Sequence, residues 1–239
     1  NTSAMASLNY ALDDNMQTYF KISQGWKAGG FNGEAPSATI AVKPYDPEEV
    51  IAYELGVKSR WLDQRLQTNI ALFYNDITDM QLSEFLGAYS DIQNAGSATV
   101  TGAEIELIAA LSDDLQLNIN YGFLRPKYDS FVTRDVTTGE PNDLTNSAEF
   151  PYSPEHKLSI GLNYSTTTDF GELTAGADYS YVDDHFIYHN QPSADFTRVE
   201  SYAVLNARIS LKEVAGSNVN LSIWGKNIAD EEYRINGVP

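Results

Sequence analysis

Leu115-Gln116-Leu117-Asn118-Ile119-Asn120-Tyr121-Gly122-Phe123 alternates without a break between apolar and small or polar side chains. Successive side chains on a β-strand point to opposite faces, so this stretch predicts a strand with one greasy face and one polar face. Upstream, Leu66, Thr68, Ile70, Leu72 and Tyr74 oppose Gln67, Asn69, Ala71 and Asn75, with Phe73 out of step. Downstream, Leu158, Ile160, Leu162 and Tyr164 oppose Lys157, Ser159, Gly161 and Asn163. Leu173, Ala175, Ala177, Tyr179 and Tyr181 oppose Glu172, Thr174, Gly176, Asp178 and Ser180. Val219, Leu221 and Ile223 oppose Asn220 and Ser222 until Trp224 breaks the pattern. The period predicts about ten strands, near 3–11, 16–27, 49–60, 65–77, 92–110, 115–127, 155–165, 171–182, 200–211 and 218–227.

The connections alternate too. Short polar turns fall at Leu12–Asn15, Leu62–Gln64, Ser112–Asp114 and Thr167–Asp169. Between them run long segments rich in Pro, Gly, Asn and Asp: Gly29–Pro47, Thr78–Asn94, Pro126–Ser153 and Asp183–Glu200. Hairpins that are tight at one end and long at the other suit a transmembrane β-barrel with short periplasmic turns and long extracellular loops. Tyrosines near the strand ends, such as Tyr74, Tyr121, Tyr164 and Tyr179, suit the membrane interface, where a ring sits in lipid and a hydroxyl in water. A secreted β-sandwich with these aromatics in its core is the competing reading.

Composition narrows the function. The 239 residues carry 33 Asp and Glu against 15 Lys and Arg, a formal charge of -18, with no cysteine. No two basic residues are adjacent, so a nucleic-acid partner is not expected. The missing cysteines remove disulfide scaffolds and thiol chemistry. No basic region followed by an apolar run opens the chain, and no apolar run approaches the ~20 residues of a membrane helix. A barrel shows no such run, because only alternate residues touch hydrocarbon. There is no Ser/His/Asp arrangement, HExxH, CxxC or GxGxxG phosphate loop, so neither an enzyme nor a cofactor site is expected.

Several segments are similar to the TonB-dependent outer-membrane receptors, siderophore receptors in particular. Pro47-Glu48 with Tyr53-Glu54-Leu55-Gly56-Val57-Lys58 resembles that family's P-E…Y-E-x-G-x-K strand, and Arg65–Gln81 resembles the strand after it. Asn94-Ala95-Gly96-Ser97-Ala98, continuing to Gly102-Ala103-Glu104-Ile105-Glu106, resembles its N-A-G-x-A…G-x-E-x-E strand. Ser23-Gln24-Gly25-Trp26-Lys27-Ala28-Gly29-Gly30-Phe31-Asn32 and Asn227-Ile228-Ala229-Asp230-Glu231-Glu232-Tyr233 resemble two further signatures, with Trp26 at an aromatic position and Ile228 for a leucine. The resemblance implies an outer-membrane location in a Gram-negative bacterium and a larger barrel of about 22 strands. It also implies an N-terminal plug that contacts the TonB energy-coupling complex, and uptake of a ferric siderophore or similar chelate. Cobalamin or saccharide uptake and a passive porin-like channel remain open. Residues 1–239 are thus expected to be roughly the C-terminal half of such a barrel, without the plug, the first strands or the last. The physics agrees: open edges in lipid leave unpaired backbone groups at several kcal/mol each. Further strands must complete the wall, or the chain closes as a smaller barrel, or it is not in a membrane.

Candidate site residues follow from this reading. Glu104 and Glu106 share one strand face opposite Ile105 and Leu107, which makes them lumen-facing, with Arg208 and Lys226 as cations that could balance them. Trp26, Phe31, Tyr89, Tyr128, Phe131, Arg134, His185, Phe186, Tyr188 and His189 fall in or beside the long connections and are candidate ligand contacts. His185 and His189 are four apart but lack the converging partners a metal needs, so no metal site is expected.

Overall fold

Ten strands hydrogen-bond in sequence order to make one antiparallel sheet, as the period-two segments predict. A computed structural model describes residues 2–33, 35, 37–85, 90–134, 140–189 and 197–237. In chain order its strands are β1 (Ala4–Ala11), β2 (Met16–Lys27), β3 (Gly30–Phe31), β4 (Pro44–Tyr45), β5 (Glu48–Trp61), β6 (Leu66–Phe85), β7 (Ser90–Ala110) and β8 (Leu115–Arg134). They continue with β9 (Pro141–Asp143), β10 (His156–Thr168), β11 (Gly171–Val182), β12 (His185–Phe186), β13 (Arg198–Val199), β14 (Tyr202–Lys212) and β15 (Leu221–Gly225). The wall runs β1-β2-β5-β6-β7-β8-β10-β11-β14-β15, with β9 added to the upper end of β8. The pairs β3-β4 and β12-β13 lie off it.

The register keeps each face uniform across the wall. The row Tyr10, Thr18, Val57, Ile70, Ile105, Tyr121, Leu158, Tyr181 crosses from β1 to β11 through successive partners, all on one face. The parallel row Gln17, Lys58, Asn69, Glu106, Asn120, Ser159, Ser180 lies on the other. The greasy face is not packed against anything. Leu72 is 53% exposed, Leu55 51% and Ile223 81%, and Leu117, Ile119 and Ile160 are not buried. A sandwich would bury one face of each sheet, so that reading is overturned. Leu66 to Tyr74 measures about 26 Å along the strand, enough for a tilted wall to cross the hydrocarbon. Aromatics flank it: Tyr53 and Tyr74, with rings 6.2 Å apart, above, and Tyr10, Trp61 and Tyr164 below.

The turns at the lower end are short, and all four expected long connections prove to hold some strand, two of them as extensions of wall strands. β6 runs on to Phe85 and β7 begins at Ser90, inside the expected Thr78–Asn94 loop, with an irregularity at Met80. β8 likewise runs through Pro126 to Arg134. Above the membrane both faces of a hairpin meet water, so the alternation fades while the backbone ladder persists. Proline is tolerated there for a local reason. The Leu124 amide points toward β10 and donates to the Glu155 carbonyl at 2.9 Å, the last bond between these segments. Pro126 would present its missing N–H to that same, unpaired side.

Candidate functional site

The polar face holds the hollows and is the concave side of the wall. Tyr19, Glu54, Lys58, Asn69, Phe73, Glu104 and Glu106 line one hollow of about 410 Å³. In it the Tyr19 hydroxyl donates to Glu54 at 2.6 Å and the Asn69 amide donates to Glu106 at 2.6 Å, while Lys21 Nζ, beside the hollow, lies 2.5 Å from Glu54. Glu104 and Glu106 lie on the polar face of β7 with these groups. Arg208 and Lys226 share that face but line a separate hollow of about 750 Å³ with Asp178 and Trp224. They do not meet the glutamates: Arg208 donates instead to Ser210 at 2.9 Å and to Ser222 at 3.3 Å. Two cations that the sequence reading did not single out stand nearer: Lys21 pairs with Glu54, and Lys58 lines the hollow that holds Glu104 and Glu106.

Two motif glycines have a structural duty here. The Tyr19 ring lies over Gly56, and the Phe73 ring over Gly102. A Cβ at either glycine would sit 2.3 Å or 2.2 Å from the ring. Phe73 thus breaks the alternation because Gly102 on the next strand gives its ring a socket on the polar side.

At the upper end the concave face changes character. Met80, Ala95, Ala98, Tyr128 and Phe131 form a buried cluster, with Leu144, Ala148 and Phe150 of the β9–β10 connection packed on it. Tyr128 stacks on Phe150 with centroids 4.1 Å apart and on Phe131 at 4.7 Å. Burial, together with the Glu149 carboxylate, pushes the Tyr128 phenol up to about 12. The Phe131 amide donates to Thr145 Oγ1 at 2.9 Å, and the Leu144 amide to the Phe131 carbonyl at 2.8 Å. The connection is thereby folded inward over the mouth. A second connection clasps it: the Glu149 amide donates to the His189 carbonyl at 3.1 Å, and the Tyr152 amide to the Phe186 carbonyl at 2.7 Å. The His189 ring meets the edge of Phe131 at 5.1 Å, and burial holds its imidazole below the usual histidine range.

The candidate ligand contacts fall in different places. Tyr128 and Phe131 are 3% and 0% exposed, so they are the floor under the mouth rather than loop-tip groups. Trp26 ends a strand on the outer face, in line with Phe20 and Ile22, and turns away from the lumen. Phe31 is exposed in β3, and His185 and Phe186 form β12 against β13. Tyr188 donates to the Gly237 carbonyl at 3.0 Å. Tyr89 lies outside the described residues, as does the Arg134 side chain. Beside His185 stands Tyr152, which the sequence reading did not single out; it is half-exposed, 6.3 Å from the His185 ring, and hydrogen-bonded to Asn236. The two aromatics flanking a proline in Phe150-Pro151-Tyr152 are the signal the sequence offers. Among the described residues no group of three or more His, Asp or Glu is placed to hold a metal ion.

A wall with a greasy outer belt, a polar concave face and a folded mouth now has a counterpart among known proteins. Residues 1–228 match the family described as TonB dependent receptor-like, beta-barrel. The chain belongs to that family. TonB-dependent receptors are Gram-negative outer-membrane barrels that act in transport and are not enzymes. The chain is 29% identical over 231 residues to the pesticin receptor of Yersinia pestis, covering 97% of this chain and 32% of the relative. It is 26% identical to the ferric-pyoverdine M114 receptor PbuA of Pseudomonas sp. strain M114, covering 95% of this chain and 26% of that receptor. The crystal structure of the ferric yersiniabactin uptake receptor FyuA from Yersinia pestis superposes with a TM-score of 0.76 at 24% identity, covering 98% of this chain and 33% of that one. This TonB-dependent receptor wall thus spans about a third of the length of the first relatives it matches.

Proposed function

We propose that the chain supplies part of the wall and mouth of a receptor that takes up a ferric siderophore or similar chelate with TonB-derived energy. The observation that carries this is the mouth. A stacked aromatic floor and two connections clasped over it form a fixed shelf above a polar, water-accessible inner face. Such a shelf suits capture of a bulky, partly aromatic chelate better than free diffusion of small solutes. Relatives named as receptors for ferric pyoverdine and ferric yersiniabactin support that ligand class. Tyr152, His185 and Tyr188 are the side chains we assign to the ligand. Tyr128 stays protonated under its neighbours, so it offers a ring face rather than a phenolate oxygen for iron. Glu54, Glu104 and Glu106 face the lumen, where a plug with basic side chains would meet them.

The test uses the full-length receptor. Titration with ferric pyoverdine, ferric yersiniabactin, a ferric catecholate, cobalamin and an oligosaccharide should give submicromolar binding to a ferric chelate alone. Replacing Tyr152 and Tyr188 with Ala should weaken that binding by roughly tenfold, at about 1 kcal/mol or somewhat less for each aromatic contact. Tight cobalamin or oligosaccharide binding with none to the chelates would overturn the iron reading.

A further inference from the structure

Glu48, Gln81 and Asn94, far apart in the chain, meet at one point of the upper wall. There β6 and β7 pair through two compensating irregularities. Thr78 and Asp79 stand opposite Ser97 alone, and Ala95 is the extra residue on β7, where Met80 pairs with Gly96 and Gln81 with Asn94. Asp79 is left-handed, with φ 52°, and its carbonyl accepts from the Asn94 side-chain amide at 2.6 Å. The Gln81 backbone N–H donates to the Glu48 carboxylate at 2.7 Å. Both amide side chains then reach the connection between β2 and β5. Gln81 Nε2 donates to the Ala28 carbonyl at 2.9 Å and to the Asp46 carbonyl at 3.0 Å. Asn94 donates to that same Asp46 carbonyl at 2.9 Å and accepts from the Asp46 N–H at 2.6 Å. Farther along the connection, buried Asn32 donates to Asp91 at 3.4 Å.

We infer that Glu48, Gln81 and Asn94 are positioning residues for ligand capture: they latch the first mouth connection to the upper wall. The inference rests on the chelate-uptake reading. The latch holds Lys43, Tyr45 and Asp46 on the rim of a hollow of about 380 Å³ that Asp91 and Thr133 also line. Amide side chains suit the task, because each carries donors and an acceptor together and can serve two segments at once. Asp46 has both its N–H and its carbonyl taken by side chains, as a strand partner would take them, although no strand stands there. The chain neighbours Met80 and Ala95 belong to the aromatic floor, and a Cβ at Gly96 would run into the Ser130 carbonyl of β8. One hairpin therefore holds the β9–β10 connection through its apolar residues and the first connection through its amides. A connection that is loose spends less time in the binding geometry, and affinity falls by that fraction.

Hydrogen exchange of the ligand-free, full-length receptor tests the latch, and titration with ferric yersiniabactin and ferric pyoverdine tests its purpose. Gln81→Met keeps the side-chain length without its donors. That variant and Asn94→Ala should each speed exchange across 28–32 and 43–48 by about tenfold, with 140–150 unchanged. Chelate affinity should fall with them by about fivefold. Glu48→Gln keeps an acceptor for the Gln81 N–H and should preserve both properties, whereas Glu48→Ala should weaken both. Unchanged exchange in Gln81→Met and Asn94→Ala, or an equal rise across 140–150, would overturn the latch. Faster exchange at 28–32 and 43–48 with undiminished affinity would overturn the positioning role. An unaltered receptor that takes neither chelate would overturn the chelate reading, and the exchange pattern would still decide the latch.

Discussion

The lower wall and the upper mouth of this one sheet are held together by opposite means. In the wall the largest side chains point outward, and stability comes from an unbroken backbone ladder and from hydrocarbon around the belt. In the mouth the chain behaves like an ordinary globular protein. Among the described residues, all seven buried hydrophobic side chains, Met80, Ala95, Ala98, Tyr128, Phe131, Ile187 and Val199, lie there. The wall is inside-out because its solvent is lipid. The mouth stands in water and must bury its own aromatics. One strand, β8, passes from one regime to the other between Phe123 and Tyr128 without a break in its hydrogen bonding to β7.

The sharpest way to break the contrast is to remove the mouth's floor. Phe131→Ala should destabilise the mouth by about 3–5 kcal/mol, the range for truncating a fully buried phenylalanine. Hydrogen exchange should then rise across 140–150 and 185–189 of the full-length receptor and stay unchanged in β5 and β6. A rise throughout the sheet would mean the two regions form a single cooperative unit.

A somewhat smaller effect tests the wall. Ile119→Arg places a charge in the belt and should cost about 2–4 kcal/mol near the bilayer midplane. Its neighbour Asn118→Arg faces the lumen and should change stability by no more than about 0.5 kcal/mol. Equilibrium refolding into phospholipid vesicles measures both, and equal costs would remove the distinction between the faces.

The smallest effect is the pH response of the clasp. Burial depresses the His189 pKa, so the closed mouth binds this proton less readily than the opened one. Above the ordinary histidine value both forms are neutral and the clasp is at full strength. As pH falls below about 6.5, the opened form takes up the proton first and the clasp weakens. Hydrogen exchange of 185–189 should therefore quicken from pH 7.5 to 5.5 relative to the intrinsic rate, and His189→Phe should abolish the difference.

Alternation at Leu115–Phe123 and its echoes determined the strand order, the outward belt and the inward glutamates, because a lipid–water boundary stamps a period of two on any strand crossing it. That stamp fades above the belt. Phe85, Ser90 and the β8 extension past Pro126 are strand by hydrogen bonding alone, and no side-chain pattern marks them. Phe73 reads as an error in the chain and becomes sensible only beside Gly102. Which candidates occupy the mouth was likewise a tertiary decision. Tyr128 and Phe131 look like loop aromatics until Phe150 folds onto them, and Trp26 looks like a mouth residue until the register turns it outward. Local sequence sets which side a residue faces. What stands on that side depends on segments tens of residues away.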